Sequence, residues 1–539
     1  MNALKVFVIA SLSLAASLAA SASALVDVAW LQKNLGRDEI LVIDASSAKL
    51  HAAGHIPGAV HAPLYETGIH FSSARLETAL QSWGVSPGRK VVIYDEGGTN
   101  MATWLFFELY HAGFPEADMV VLDGGLAKWQ ASGGAVTKDP TPAPAKGTFR
   151  IGNLREDSRV RMPDLMVAWG DKTGNVVVDA LDANYHFGDI KFFDRAGHIP
   201  NGIMWSNADF YNADKTFKSP EEIRRMAAYL GIKPEQQVNS YCGGGVAATV
   251  PFFGLRFVAG YPKVRVYKES AFEWTRDDRT LPIWTYDAPY LRRDMGWVNG
   301  WNNRMMRMFG VAQLSIVDVR SADAYKQVHL PFALNISADV FRSNLDDPAK
   351  LAAILGPAGV NTADDVVIVS RGGLNEDAAL AFLAMEKLGH KKIALLMESV
   401  DDWGLAGLEL TKEPTIVGAP KSPQDFAVRP ASYKASARDG VTLKDARGGG
   451  GLYPKVWIAS GKKAPEKMPD GKVVHVPYTD LIDAKGAPKP ANEIWKVLAN
   501  AGVPRYAEIV LVADDPGEAA INYYIFRLMG YPDVKVLVS

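Results

Sequence analysis

Short, almost unbroken runs of apolar residues recur along this chain, and they recur in pairs. The first member of each pair reads Leu41-Val-Ile-Asp44, Val176-Val-Val-Asp179, Ser315-Ile-Val-Asp318 and, most divergent, Pro454-Lys-Val-Trp-Ile-Ala459. Each is followed by a histidine–proline turn: Gly54-His-Ile-Pro-Gly-Ala59, Gly197-His-Ile-Pro-Asn-Gly202, Val328-His-Leu-Pro-Phe-Ala333 and Val473-Val-His-Val-Pro477. The second member comes some tens of residues on and opens into a loop. These are Val91-Val-Ile-Tyr-Asp95, Asn239-Ser-Tyr-Cys242, Val366-Val-Ile-Val-Ser370 and Val510-Leu-Val-Ala-Asp514. After each loop come a helical stretch, a Gly-Tyr or Gly-Phe type turn and a third short strand such as Met119-Val-Val-Leu-Asp123. Strands and helices alternating in this way predict an α/β fold, with four modules that are each a small open parallel sheet covered by helices on both faces. In such sheets ligands bind beyond the carboxyl ends of the strands.

The repeats place the modules at residues 25–138, 149–282, 288–412 and 427–539. Composition marks the linkers. Asp139 to Lys146 is proline-rich and is expected to be extended. Pro282 to Gly300 carries aromatics and is expected to pack. Lys412 to Pro423 joins the third module to the fourth, and Arg447-Gly-Gly-Gly-Gly451 reads as a flexible lead-in. The cluster of Trp297, Trp301, Met305, Met306 and Met308 is expected to pack between modules.

Residues 1–24 have the layout of a cleavable secretory signal: Lys5, an apolar run from Val6 to Ala20, then Ser21-Ala-Ser-Ala24. The run is shorter than the roughly 20 residues of a comfortable membrane span. No comparable run follows, so no stable membrane insertion is expected. The expected location is periplasmic or secreted.

Hydrophobic residues make up 48% of the chain and charged residues 22%, which is ordinary for a globular protein. The net charge of −2 leaves no electrostatic footprint for nucleic acid. The 10 histidines are scattered singly, so neither a metal site nor a cofactor is expected. Asp44, Asp179 and Asp318 end strands and are expected to bond local backbone. His55 and His198 are expected to hold their turns.

The candidate chemistry rests on Cys242, the 1 cysteine of the chain. It forms no internal disulfide, and an idle thiol is a liability in an oxidising compartment. Gly243, Gly244 and Gly245 follow it, then Val246 and Ala247. Glycines let successive N–H groups turn towards one centre, and a helix N-terminus behind them adds positive potential. Both effects are expected to favour the nucleophilic thiolate.

These motifs resemble the rhodanese-like sulfurtransferases over nearly all of the sequence beyond residue 24. The resemblance implies four rhodanese-like modules. The first is inactive, with Asp95 at the nucleophile position, and the second is catalytic through Cys242. The third and fourth are a degenerate tandem, with Ser370 and Asp514 at that position. The implied activity moves sulfane sulfur from a small donor (thiosulfate, 3-mercaptopyruvate or polysulfide) to a thiophilic acceptor such as cyanide or a thiol, a partner protein's thiol included, through a Cys242 persulfide. The amides of Gly243 to Ala247 would hold the anionic sulfur. Arg195 is the candidate anchor for a donor carboxylate, beside Tyr185-His186.

The loop also departs from the family pattern. It carries no Arg or Lys of the thiosulfate branch, and Gly244 stands where the mercaptopyruvate branch has serine. Lys268 and Glu269 replace the usual Asp-Gly of their turn. A second reading is a non-catalytic sulfur or selenium carrier, or a partner-binding scaffold. A cysteine phosphatase is excluded, because the arginine such an enzyme needs is here Ala248. A chain ending near Pro282 is expected to keep sulfur transfer.

Overall fold

The computed structural model describes residues 24–191, 194–276, 280–309, 313–418, 428 and 430–538. The expected signal segment lies outside these residues except for Ala24, as does part of the linker after Lys412.

Among the described residues the strands assemble into 4 five-stranded sheets with the same topology. The first contains β1 (Leu25–Val26), β2 (Ile40–Asp44), β3 (Val60–His61), β4 (Lys90–Tyr94) and β5 (Met119–Leu122), in the spatial order 1-5-4-2-3. The second contains β6 (Arg159–Val160), β7 (Asn175–Asp179), β8 (Gly202–Met204), β9 (Gln237–Tyr241) and β10 (Val264–Tyr267), in the order 6-10-9-7-8. The third is built from β11 (Arg292–Arg293), β12 (Leu314–Asp318), β13 (Leu334–Asn335), β14 (Asp365–Val369) and β15 (Ile393–Leu396). The fourth is built from β16 (Thr442–Leu443), β17 (Lys455–Ala459), β18 (Lys472–His475), β19 (Glu508–Val512) and β20 (Val534–Leu537). Pairing is parallel, as between β2 and β4 or β7 and β9.

The apolar runs become central strands because both their faces are covered. Val91 to Tyr94 are fully buried, and so are Ile509 to Leu511. Each such aliphatic side chain contributes about 1.5–3 kcal/mol of burial. In every sheet the fourth strand in chain order lies in the middle, beside the second. The chain order reverses there, so the loops after β4, β9, β14 and β19 open at the switch point where α/β sheets bind ligands.

The chain divides into two compact units. One comprises the first module to Arg159 with two short segments, Ala208–Pro220 and Phe252–Tyr261. Here Phe252, Phe253 and Phe257 pack edge-on against Phe106, Phe107 and Tyr110 of the helix Met101–His111. A hairpin bridged between Tyr211 and Phe217 covers the loop that follows β4. The Tyr211 hydroxyl donates to the Thr99 carbonyl, and the Phe217 N–H donates to Asp123 at 2.7 Å.

The other unit holds the rest of the second module together with the third and fourth. A hairpin bridged between Ile482 and Pro488 lies over the loop after β14, where the Leu374 N–H donates to the Gly486 carbonyl at 2.7 Å. The linker after Pro282 does pack: the Tyr286 hydroxyl donates to the Lys489 carbonyl at 2.6 Å, and the Ala288 N–H to Leu528. The second and fourth modules are tied directly, since the Tyr229 hydroxyl donates to the Ala507 carbonyl at 2.9 Å and Lys496 pairs with Asp189.

Two expectations need correction. The glycine run before β17 is not a loose lead-in. Gly450 and Gly451 donate to the buried Glu508 carboxylate, which also pairs with Lys535 at 3.0 Å. A Cβ at Gly449 would lie 2.1 Å from that carboxylate, so the glycines are there for close approach. Trp297 packs within the core of its own module, against which Val298, Leu314 and Trp403 also lie, and Trp301 is 42% exposed.

Candidate functional site

Cys242 follows the last residue of β9, the middle strand of its sheet. The preceding Tyr241 is buried, and its hydroxyl accepts the Ile199 N–H at 3.1 Å. That bond ties the cysteine strand to the Gly197-His198-Ile199-Pro200 turn. Tyr94 makes the same bond to Ile56 in the first module.

The thiol is 2% exposed. Its sulfur accepts the Gly245 N–H at 3.2 Å. The loop leaves no room for side chains at two of its glycines. Gly245 has a φ of +85°, and a Cβ there would meet the Lys268 carbonyl oxygen at 2.3 Å. A Cβ at Gly244 would meet the Phe272 ring at 2.5 Å. The loop is closed from the other side by the Lys268-Glu269-Ser270 turn. Ser270 accepts the Cys242 N–H at 3.1 Å and donates to the Tyr267 carbonyl at 2.6 Å. Ala271 and Phe272 donate to the carbonyls of Cys242 and Gly243.

Ser270 is a site residue that sequence reading missed. Its signal was a serine at the position where the first module has Gly125. Both residues take positive φ, +52° and +55°. A non-glycine residue held there costs about 1–2 kcal/mol, and the hydroxyl it supplies is the partner of the cysteine amide.

The expected thiolate bias needs revision. Burial pushes the Cys242 thiol above its ordinary range, against the pull of the amides of Ala248, Gly245, Gly244 and Ala247. The helix behind the loop is short, Thr249–Phe253, before the chain opens into wider turns at Gly254–Val258, so its dipole is weak. Of the five residues expected to cradle the sulfur, Gly244, Gly245 and Ala247 present amides to it, and Ala248 joins them. Gly243 and Val246 instead use their carbonyls locally, towards Phe272 and Thr249.

Arg195 does not present its charge to a donor. Its guanidinium donates to the carbonyls of Leu281 at 2.5 Å, Trp274 at 3.1 Å, Thr275 at 3.2 Å and Arg276 at 3.4 Å. It caps the helix Ser270–Trp274 that closes the cysteine loop.

The loops of the first and third modules are satisfied internally. Asp95 accepts from Gly97, Thr99 and Ala102, so a carboxylate of the chain fills the place of an anion. The Ser370 hydroxyl accepts from Asn375 at 2.8 Å. Asp514 is exposed. Asp44, Asp179 and Asp318 each accept a backbone N–H two residues on, as expected of strand-ending aspartates.

The fold also gathers groups that are far apart in sequence. His186 and His198 stack face to face with centroids 3.7 Å apart, and Asp287 of the linker faces both. His186 bonds Asp179 through Nδ1 at 2.8 Å and Asp287 through Nε2 at 2.7 Å. Burial works against charge on both rings. The two aspartates outweigh it at His186, which rises to about 9, whereas burial and the charged neighbour depress His198 to about 4.

Comparison with known proteins agrees with this architecture. The rhodanese-like domain family matches residues 27–132 and 302–406. A probable 3-mercaptopyruvate sulfurtransferase of Pseudomonas aeruginosa is 30% identical over 289 residues, which is 50% of this chain and 100% of that protein. A sulfur carrier protein of Thermus thermophilus is 27% identical over 46% of this chain and 93% of its own length. A crystal structure from Escherichia coli, described under the rhodanese fold of 3-mercaptopyruvate sulfotransferases, covers 46% of this chain and 99% of its own, with 23% identity and a TM-score of 0.41.

Proposed function

Since the chain belongs to the multi-domain rhodanese-like sulfurtransferase family, we propose that it is an exported sulfurtransferase working through a persulfide on Cys242. The observation that carries this reading is the Cys242 sulfur itself, set at the switch point of its sheet and ringed by loop amides. The sulfur attacks the outer, sulfane sulfur of a donor. One S–S bond forms at the enzyme, and the donor's own bond to that sulfur breaks. The leaving fragment, sulfite if the donor is thiosulfate, departs with the electron pair. A thiophilic acceptor such as cyanide then takes the outer sulfur, and Cys242 returns as thiolate. The two half-reactions give ping-pong kinetics.

In both half-reactions negative charge rests on sulfur inside the loop. The amides of Gly244, Gly245, Ala247 and Ala248 are already aimed there and need no reorganisation, as in an oxyanion hole. Ser270 holds the cysteine backbone against the strand. The name of the Thermus relative supports a protein thiol as an acceptor alongside small ones.

The test is direct. Protein treated with a sulfane donor gains the mass of one sulfur atom, cyanide removes it as thiocyanate, and Cys242→Ser does neither while keeping its fold. Full turnover by the serine variant would remove the proposal. Persulfide formation without any release to cyanide or thiols would instead favour a carrier.

A further inference from the structure

We propose that His186, His198 and Asp287 form a binding site for a divalent transition-metal ion of the zinc class. The argument begins with the turn that His198 occupies, because the chain builds that turn three times. In the first module His55 stacks on His51 at 3.9 Å, and its Nε2 faces the Thr141 hydroxyl at 3.5 Å. In the third, His329 stacks on Tyr325 at 3.7 Å, and its Nε2 meets the Glu413 carbonyl at 3.1 Å. A stacked ring and a neutral partner are therefore enough to make the turn. The second module departs from this. The stacking ring is an imidazole, as in the first module, but the linker supplies a carboxylate, and the His198 Nε2 has no hydrogen-bond partner although its side chain is fully buried.

The outward nitrogen of His198 is already assigned. His198 Nδ1 lies 2.8 Å from the His186 carbonyl, so it carries the proton and leaves Nε2 with its lone pair. His186 Nδ1 lies 2.8 Å from Asp179, the carboxylate–imidazole pairing that fixes and strengthens metal-bound histidines. Both Nε2 atoms then face Asp287 Oδ1, at 2.7 and 3.6 Å, and all three donor atoms lie within 4.8 Å of one another. Donors about 2.0–2.1 Å from a tetrahedral ion sit about 3.4 Å apart; to take one, the two rings, now parallel to within 3°, must splay until their lone pairs converge, and the ion must displace the proton that His186 Nε2 shares with Asp287. Two imidazoles and a carboxylate suit zinc and its first-row neighbours rather than calcium or magnesium.

One of the three donors opens onto a cavity. Asp287 is partly exposed and lines a cavity of about 510 Å³ with Arg527 and Tyr290. It also approaches the backbone of the fourth module at Gly530, where a Cβ would overlap it at 1.9 Å. A bound ion would thus link the His198 turn, the linker and the fourth module.

The experiment uses the full-length chain carrying Cys242→Ser, which removes the thiol as a competing ligand. After chelation and dialysis, Zn²⁺ and Co²⁺ are titrated by calorimetry and by the visible cobalt absorption. The expected result is one equivalent bound, with X-ray absorption showing two imidazoles and only oxygen besides. Adding Asp287→Asn should weaken binding by more than a hundredfold, and Asp179→Asn by about 10–100-fold, as losses of partners behind metal ligands do. His51→Gln, in the other histidine stack, should change nothing. The absence of stoichiometric binding by the parent, or undiminished binding by Asp287→Asn, would overturn the proposal and leave the cluster as an ion pair closed by a proton. The X-ray absorption arm needs no substitution in the cluster, so a variant that fails to fold does not leave the question open.

Discussion

The tightest test of the cysteine loop compares alanine at Gly245 with alanine at Gly244. At Gly245 two costs combine. The backbone φ of +85° lies where an L-residue pays about 1–2 kcal/mol. The new Cβ would also lie 2.3 Å from the Lys268 carbonyl oxygen, a backbone atom in a turn that itself anchors Cys242 through Ser270. The loop must therefore shift away from that turn, and the Gly245 N–H that reaches the sulfur at 3.2 Å shifts with it. Loss of one such preorganised donor costs about 2.7–4 kcal/mol in the transition state, or about 10²–10³-fold in rate. At Gly244 the obstacle is the Phe272 ring, which is 53% exposed and can turn aside. The expected order is a hundredfold or greater loss of sulfur transfer for Gly245→Ala, and less than tenfold for Gly244→Ala. Initial rates and the rate of Cys242 alkylation measure the loss, with thermal unfolding alongside to separate it from collapse. Equal losses in the two variants, or normal alkylation in a folded Gly245→Ala protein, would refute the cradle as drawn.

Two further outcomes follow from buried ionisable groups. Burial raises the Cys242 thiol above its ordinary range of about 8.5, so its alkylation rate should still be climbing beyond pH 9. The folded state holds that proton more tightly than the unfolded chain does. The associated stability is therefore present below the unfolded pKa and is lost as pH rises through the folded one, a decline that Cys242→Ser should lack; a rate that levels off near pH 8 would contradict this. Glu508→Ala should destabilise by about 1–3 kcal/mol, because it takes the acceptor from the Gly450 and Gly451 amides and one of two carboxylates from the buried Lys535, which keeps Asp533. Glu508 itself is held below the usual carboxylate range: burial alone would raise it, but the bonds from Lys535 and the glycine amides prevail. Its contribution is present above the unfolded pKa and should fade as pH falls through the folded one, which denaturant titrations at several pH values would show.

The architecture was readable because period and repetition are written into the chain. Four apolar strand pairs, each with its histidine–proline turn, are enough to give four parallel sheets with one topology. The place of Cys242, just beyond a central strand, was readable for the same reason. What stayed hidden depends on long-range closure. Arg195 is near the right turn in sequence, yet the four carbonyls of Trp274, Thr275, Arg276 and Leu281 claim its guanidinium. Asp287 stands 101 positions from His186, in a linker whose composition signals only packing. The glycines before β17 read as slack because the carboxylate they embrace comes from Glu508, more than fifty residues on. Net burial of the thiol is likewise a property of the assembled loop rather than of its letters. The direct ties between the second and fourth modules alter the expectation for a chain cut near Pro282: removing the fourth module strips partners from Tyr229 and Asp189.

The hairpin bridged at Tyr211 and Phe217 closes the loop of the first module. A cysteine substituted for Asp95 would meet a loop that is already covered. Thr99 beside it is fastened by Tyr211, and the side chain of Lys215 fills the space next to Gly98. Opening that loop would take changes in two stretches about a hundred residues apart in sequence. A lid supplied from so far along the chain turns the loop into a joint: a would-be pocket serves instead to clasp two distant segments together.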